Sequence, residues 1–150
     1  MLNKNPLVGI TKILLDFMFY SGIVVCATVP VSFKFVGRYY SVFQKFYLPF
    51  CIIFMIAGVF SLIILRELRN IFKTLINENP FVSENAKSLK VMGGCGFIIS
   101  ATMAARLIFV ITPAALVLIV VFMIAGLFSM VLSQVFDQAV TYKQENDLTI

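Results

Sequence analysis

Histidine is absent from the 150 residues of the chain, which removes imidazole metal sites and histidine bases. Cysteine occurs three times, at Cys26, Cys51 and Cys95, all inside apolar stretches and without metal-ligand spacing. Cys26 and Cys51 could sit at similar depth on adjacent antiparallel helices, so a disulfide is conceivable; buried apolar thiols are the simpler expectation. Charge is scarce as well. Asp, Glu, Lys and Arg make up 13% of the chain against 61% apolar residues, where a soluble domain runs nearer ~25% and ~45–50%. No nucleophile, base or metal set converges, so the expectation is a protein without cofactor, metal or enzymatic activity.

What the chain does hold is long uncharged runs. Residues 17–33, 46–65, 91–105 and 107–136 contain no charged side chain, and mean hydropathy is +1.00. A spanning helix needs ~20 mostly apolar residues. The expected fold is an all-α membrane protein, one four-helix transmembrane domain over 1–150 with spans at about 13–33, 46–65, 91–111 and 113–136. The net charge of +5 is spread around these spans. It therefore points to orientation in the bilayer, with no direct nucleic-acid binding expected.

Along the chain, Asp16 interrupts the start of the first apolar run and no small-residue cleavage site follows, so this stretch reads as a retained helix ending or kinking near Pro30. Lys34 to Lys45 reads as a loop, with Tyr39, Tyr40 and Tyr47 suited to the membrane–water boundary. The second helix continues past the bilayer, since Leu68, Ile71, Phe72, Leu75 and Ile76 keep helical spacing while Arg66, Arg69, Lys73 and Asn77 take other faces. Glu78-Asn79-Pro80-Phe81 breaks it, and Ser83 is placed to cap the next helix. Thr112-Pro113 reads as cap and first residue of the fourth helix, which also projects beyond the bilayer along Val135, Ala139 and Tyr142.

One stretch occurs twice. Phe54-Met55-Ile56-Ala57-Gly58-Val59-Phe60-Ser61-Leu62 returns as Phe122-Met123-Ile124-Ala125-Gly126-Leu127-Phe128-Ser129-Met130, with seven of nine positions identical. Together with Asn5-Pro6 and Asn79-Pro80 before the first and third spans, this suggests two tandem helical hairpins. Small residues let helices approach in lipid. Ala57, Gly58 and Ser61, with Ala125, Gly126 and Ser129, are expected to make the second and fourth helices cross at Gly58 and Gly126. The alternative is that a notch faces another copy of the chain in a homo-oligomer. Gly96, Ser100 and Ala104 form a similar face on the third span.

Two charges fall where charge is costly. Arg106 lies in an apolar run near the turn before Thr112, either snorkelling to the interface or meeting an anion or lipid headgroup with Thr102. Asp16 stands one turn after Lys12, as an interfacial ion pair or a proton-carrying carboxylate. Lysine and arginine set the orientation. With the N terminus inside, Lys4, Lys12, Arg66, Arg69, Lys73, Lys87, Lys90 and Lys143 are inside, against Lys34, Arg38 and Lys45 outside, so both termini are expected in the cytoplasm.

Thr11-Lys12-Ile13-Leu14-Leu15-Asp16-Phe17, Asn79-Pro80-Phe81 and the ending Glu145-Asn146-Asp147-Leu148-Thr149-Ile150 resemble the YoaS-like family of bacterial membrane proteins of unknown function (DUF 2975). The resemblance implies a four-helix protein of the bacterial cytoplasmic membrane, with a small helix-turn-helix regulator as a partner; it brings no catalytic residues. The expectation is a non-enzymatic regulatory or partner-binding membrane protein. It would act on the cytoplasmic side through the turn Asn79, Pro80 and Phe81 and the tail Glu145, Asn146 and Asp147. The rival reading is a small transporter or channel subunit with Arg106 and Asp16 along its path.

Overall fold

Pro6 opens the first helix, where its missing N–H costs nothing, and Asn5 ahead of it accepts the Leu7 N–H on its side-chain oxygen at 3.2 Å. The computed structural model describes residues 5–77 and 79–149; Lys4, Glu78 and Ile150, each part of an expectation above, lie outside them. The elements are α1 (Pro6–Gly37), α2 (Ser41–Lys45), α3 (Tyr47–Ile76), α4 (Ser83–Arg106) and α5 (Pro113–Leu148). The four long helices are each apolar enough to cross a membrane. Among the described residues there is no strand.

Several expected boundaries move. α1 starts at Pro6 rather than residue 13 and passes through Pro30 to Gly37. Pro30 has no N–H, so the Cys26 carbonyl loses its usual helical donor, a loss that spanning helices tolerate. Tyr47 donates its hydroxyl to the Pro30 carbonyl itself at 3.0 Å, which ties α1 to the start of α3, and Thr28 bonds the Val24 and Val25 carbonyls of its own helix. The expected loop 34–45 is mostly helical, ending in the short α2. α4 stops at Arg106 rather than residue 111. Leu107 and Ile108 turn back onto the Ala104 and Ala105 carbonyls, and Phe109 and Val110 both donate to the Arg106 carbonyl, the tightened ending of a helix terminus. Ser83 is the first residue of α4, not its cap; that place belongs to Val82, which offers no side-chain oxygen.

Neighbouring long helices run antiparallel. Early α1 meets late α3 at Asp16 and Arg69, late α3 meets early α4 at Thr74 and Asn85, and late α4 meets early α5 at Ser100 and Ile119. Each packs on the next in the chain. Among the described residues, no Cα of α1 comes within 8 Å of α4 or α5, nor one of α3 within 8 Å of α5. The bundle is thus an open row, α1–α3–α4–α5. Its buried centre is Ile53 and Ala57 of α3 against Ile99 and Met103 of α4. The outer helices leave long apolar faces exposed, such as Phe17, Val24 and Val31 on α1 and Val117, Ile124 and Phe128 on α5. Lipid can cover such faces without penalty, which is why so open an arrangement suits a membrane.

At ~1.5 Å per residue, the 36 residues of α5 span ~54 Å, beyond the ~30 Å of a hydrocarbon core. The bundle therefore has two polar ends. The termini end holds the start of α1, the α3–α4 turn and the last turns of α5. The distal end holds α2 and the α4–α5 turn.

Candidate functional site

Along the α4–α5 seam, glycines bring backbone up against backbone. A Cβ built on Gly96 would stand 3.2 Å from the Gly126 Cα, and one on Gly93 would stand 3.0 Å from the Gly126 carbonyl oxygen. Three serine hydroxyls donate across the same seam: Ser100 to the Ile119 carbonyl at 3.0 Å, Ser129 to Leu89 at 2.7 Å, and Ser133 to Ala86 at 2.7 Å. Where lipid supplies no hydrophobic drive, such small-residue packing and interhelical hydrogen bonds hold helices together. Gly96, Ser100, Gly126 and Ser129 thus meet in one seam. Ala104 and Ala125 do not, being exposed. Gly93 and Ser133 belong to it and were missed.

Gly58 and Gly126 do not cross each other. Gly58 faces Cys26 of α1, whose Sγ would lie 2.5 Å from an added Cβ. The reason is the order of the row: α4 separates α3 from α5, so each of these glycines packs on the long helix preceding its own. Ala57 is buried against α4. Ser61 spends its hydroxyl on the Ala57 carbonyl of its own helix at 2.8 Å, not on a neighbour. All three cysteines are free thiols, so Cys26 and Cys51 form no disulfide.

At the termini end, Asp16 pairs with Arg69 of α3, not with Lys12. The guanidinium also lies over Phe19 at 4.6 Å and Tyr20 at 5.4 Å from the ring centroids. One arginine thereby ties α1 to α3 through a charge and two aromatic faces. Beside it, Asn85 is 1% exposed and donates through Nδ2 to the Thr74 hydroxyl and the Pro80 carbonyl, both at 2.6 Å. That side chain holds the α3–α4 turn onto both flanking helices. The turn is also tied to α5: Lys143 donates to the Asn79 side-chain oxygen at 2.9 Å, and the Phe81 and Phe136 rings stand 5.6 Å apart. A cavity of about 380 Å³ opens here, walled by Asn70, Lys73, Glu84 and Lys87. Glu145, Asn146 and Asp147 continue α5 as an exposed helical end. The half-buried line on this part of α5 is Phe136, Ala139 and Val140; Val135 and Tyr142 are exposed instead.

At the distal end, Arg106 closes α4. Its Nη1 donates to the Thr112 hydroxyl at 3.2 Å, and its guanidinium lies 5.4 Å from the Phe50 ring centroid and 5.7 Å from that of Phe54. The expected partner Thr102 points its hydroxyl at the Ile98 carbonyl of its own helix. Asp16 and Arg106 therefore sit at opposite ends and do not line one path.

Four apolar helices crossing a bilayer define the class: this is an integral membrane protein with an all-helical fold. The chain belongs to the family described as Protein of unknown function (DUF2975), whose model matches residues 32–150, from the last turns of α1 to the end of α5. No curated protein and no solved structure matches it.

Proposed function

We propose that the protein is a non-enzymatic membrane component that binds a partner through its termini end, on the cytoplasmic side. The observation that carries this is the turn locked by Asn85. A buried amide, the Lys143–Asn79 bond and the Phe81–Phe136 contact hold a polar surface in one shape beyond the apolar part of the helices. A surface ordered before it meets a partner loses less entropy on binding. Among the described residues, the termini end also carries all six Asp and Glu residues and seven of the eleven Lys and Arg residues. Such a mixed-charge face suits polar protein contacts, and a small regulator of helix-turn-helix type is the expected partner class. The cationic bias supports the cytoplasmic placement.

A transport pathway has less support. The membrane-embedded centre between α3 and α4 is Ile53, Ala57, Ile99 and Met103, and the two candidate charges are far apart along the bundle. Recovery of partners from detergent extracts, set beside solute flux in proteoliposomes, separates the two readings. The partner reading expects a cytoplasmic protein that is lost on Asn85→Ala and no flux above empty vesicles. Flux that disappears on Arg106→Leu would overturn it.

A further inference from the structure

Among the described residues every Asp and Glu lies toward the termini end, whereas Lys34, Arg38, Lys45 and Arg106 stand at the distal end with no acidic residue among them. Arg106 is the least ordinary of the four. A snorkelling arginine presents its guanidinium to water, but this one lies against Phe50 and Phe54 with Nε buried and unpartnered. Among the described residues, the only hydrogen bond its side chain makes is Nη1 to Thr112, and no carboxylate pairs with it. The phenyl faces and the hydroxyl fix the orientation of the guanidinium without neutralising it. Beside it opens a cavity of about 320 Å³, whose wall includes Tyr39, Tyr40, Ser41, Phe50 and Thr112. Four of those residues, Tyr39, Tyr40, Ser41 and Thr112, carry hydroxyl groups, and none of them belongs to α4.

We infer that this cavity binds a phosphate oxyanion, held by the Arg106 guanidinium. The planar fork of arginine matches phosphate geometry, and a charge already placed against aromatic rings needs little reordering to meet an anion. The surrounding excess of cations selects a net-negative phosphate over a zwitterionic one. The phosphate can be the headgroup of an anionic lipid, since tyrosines mark the level where headgroups lie, or a soluble phosphate. The cavity lies at the opposite end from the partner surface, so the two readings stand or fall separately.

The test uses the full chain in detergent, titrated in parallel with short-chain phosphatidylglycerol, short-chain phosphatidylcholine and inorganic phosphate. Bound species are counted by native mass spectrometry. Phosphatidylglycerol is expected to bind about tenfold more tightly than phosphatidylcholine, the size of one charge-assisted contact. Arg106→Gln should abolish that preference. Ser41→Asp changes only an exposed side chain and sets a carboxylate in the cavity wall; it should weaken binding to a similar degree, and it keeps the test alive if Arg106→Gln does not fold. Inorganic phosphate that binds in place of phosphatidylglycerol, with the same dependence on both variants, identifies the soluble source. Binding of neither above the phosphatidylcholine level, or binding indifferent to the variants, overturns the inference.

Discussion

Gly126 of α5 lies so close to Gly93 of α4 that a β-carbon on it would stand 3.1 Å from the Gly93 carbonyl oxygen. Backbone cannot retreat as a side-chain tip can, so bulk here must separate the helices. Gly126→Leu should destabilise the protein by about 1–3 kcal/mol, read as a lower melting temperature in detergent. Gly94 is the control. A β-carbon there meets nothing within 4 Å, so Gly94→Ala should leave the melting temperature unchanged or slightly raised.

Gly58 makes a different prediction, because its neighbour is a side chain. A β-carbon would stand 2.5 Å from the Cys26 Sγ but 3.9 Å from its Cβ. Gly58→Ala should cost about 0.5–1.5 kcal/mol, the scale of forcing a side chain off its rotamer. In a Cys26→Ala background the cost should vanish. A cost that persists there would mean that α1 and α3 do not meet at this pair.

Asn85 is buried, with one of its contacts on α3 at Thr74 and the other in the α3–α4 turn at Pro80. Asn85→Ala leaves the Pro80 carbonyl and the Thr74 hydroxyl without that donor, with an expected loss of about 1–3 kcal/mol. Hydrogen exchange should accelerate through residues 79–86 while the α4–α5 seam keeps its protection.

Asp16 and Arg69 are part-exposed, with side-chain exposures of 36% and 24%, so their pair should be weak. A double-mutant cycle with Asp16→Asn and Arg69→Gln should give a coupling of about 0.2–1 kcal/mol. Raising the salt concentration should shrink it. A salt-independent coupling would point to the Phe19 and Tyr20 faces as the real hold on Arg69.

The four helices were legible because an uncharged run such as 46–65 has no alternative in water, and Thr112-Pro113 marks a helix start by local chemistry alone. Partners were not legible. Asp16 has Lys12 at helical spacing, and nothing local says that Arg69, far along the chain, wins. The repeat around Gly58 and Gly126 announced close packing without saying against which helix, since the row order is set by three-dimensional contacts. The Gly96, Ser100 and Ala104 spacing came near the true seam but drifted off it. Gly93, only three residues before Gly96 and on the same helical face, was the available signal. Arg106 was visible as a misplaced charge, whereas its aromatic cradle depends on Phe50 and Phe54 arriving from another helix.

The central claim is that the Asn85-locked turn faces the cytoplasm and the Arg106 cavity faces away from it. Single cysteines at positions 41 and 83, both exposed in the fold, test it in a variant lacking Cys26, Cys51 and Cys95. A membrane-impermeant thiol reagent added to intact cells should label position 41 and spare position 83 until the membrane is opened. Labelling of position 83 with protection of position 41 would contradict the account and move the proposed partner surface to the other side.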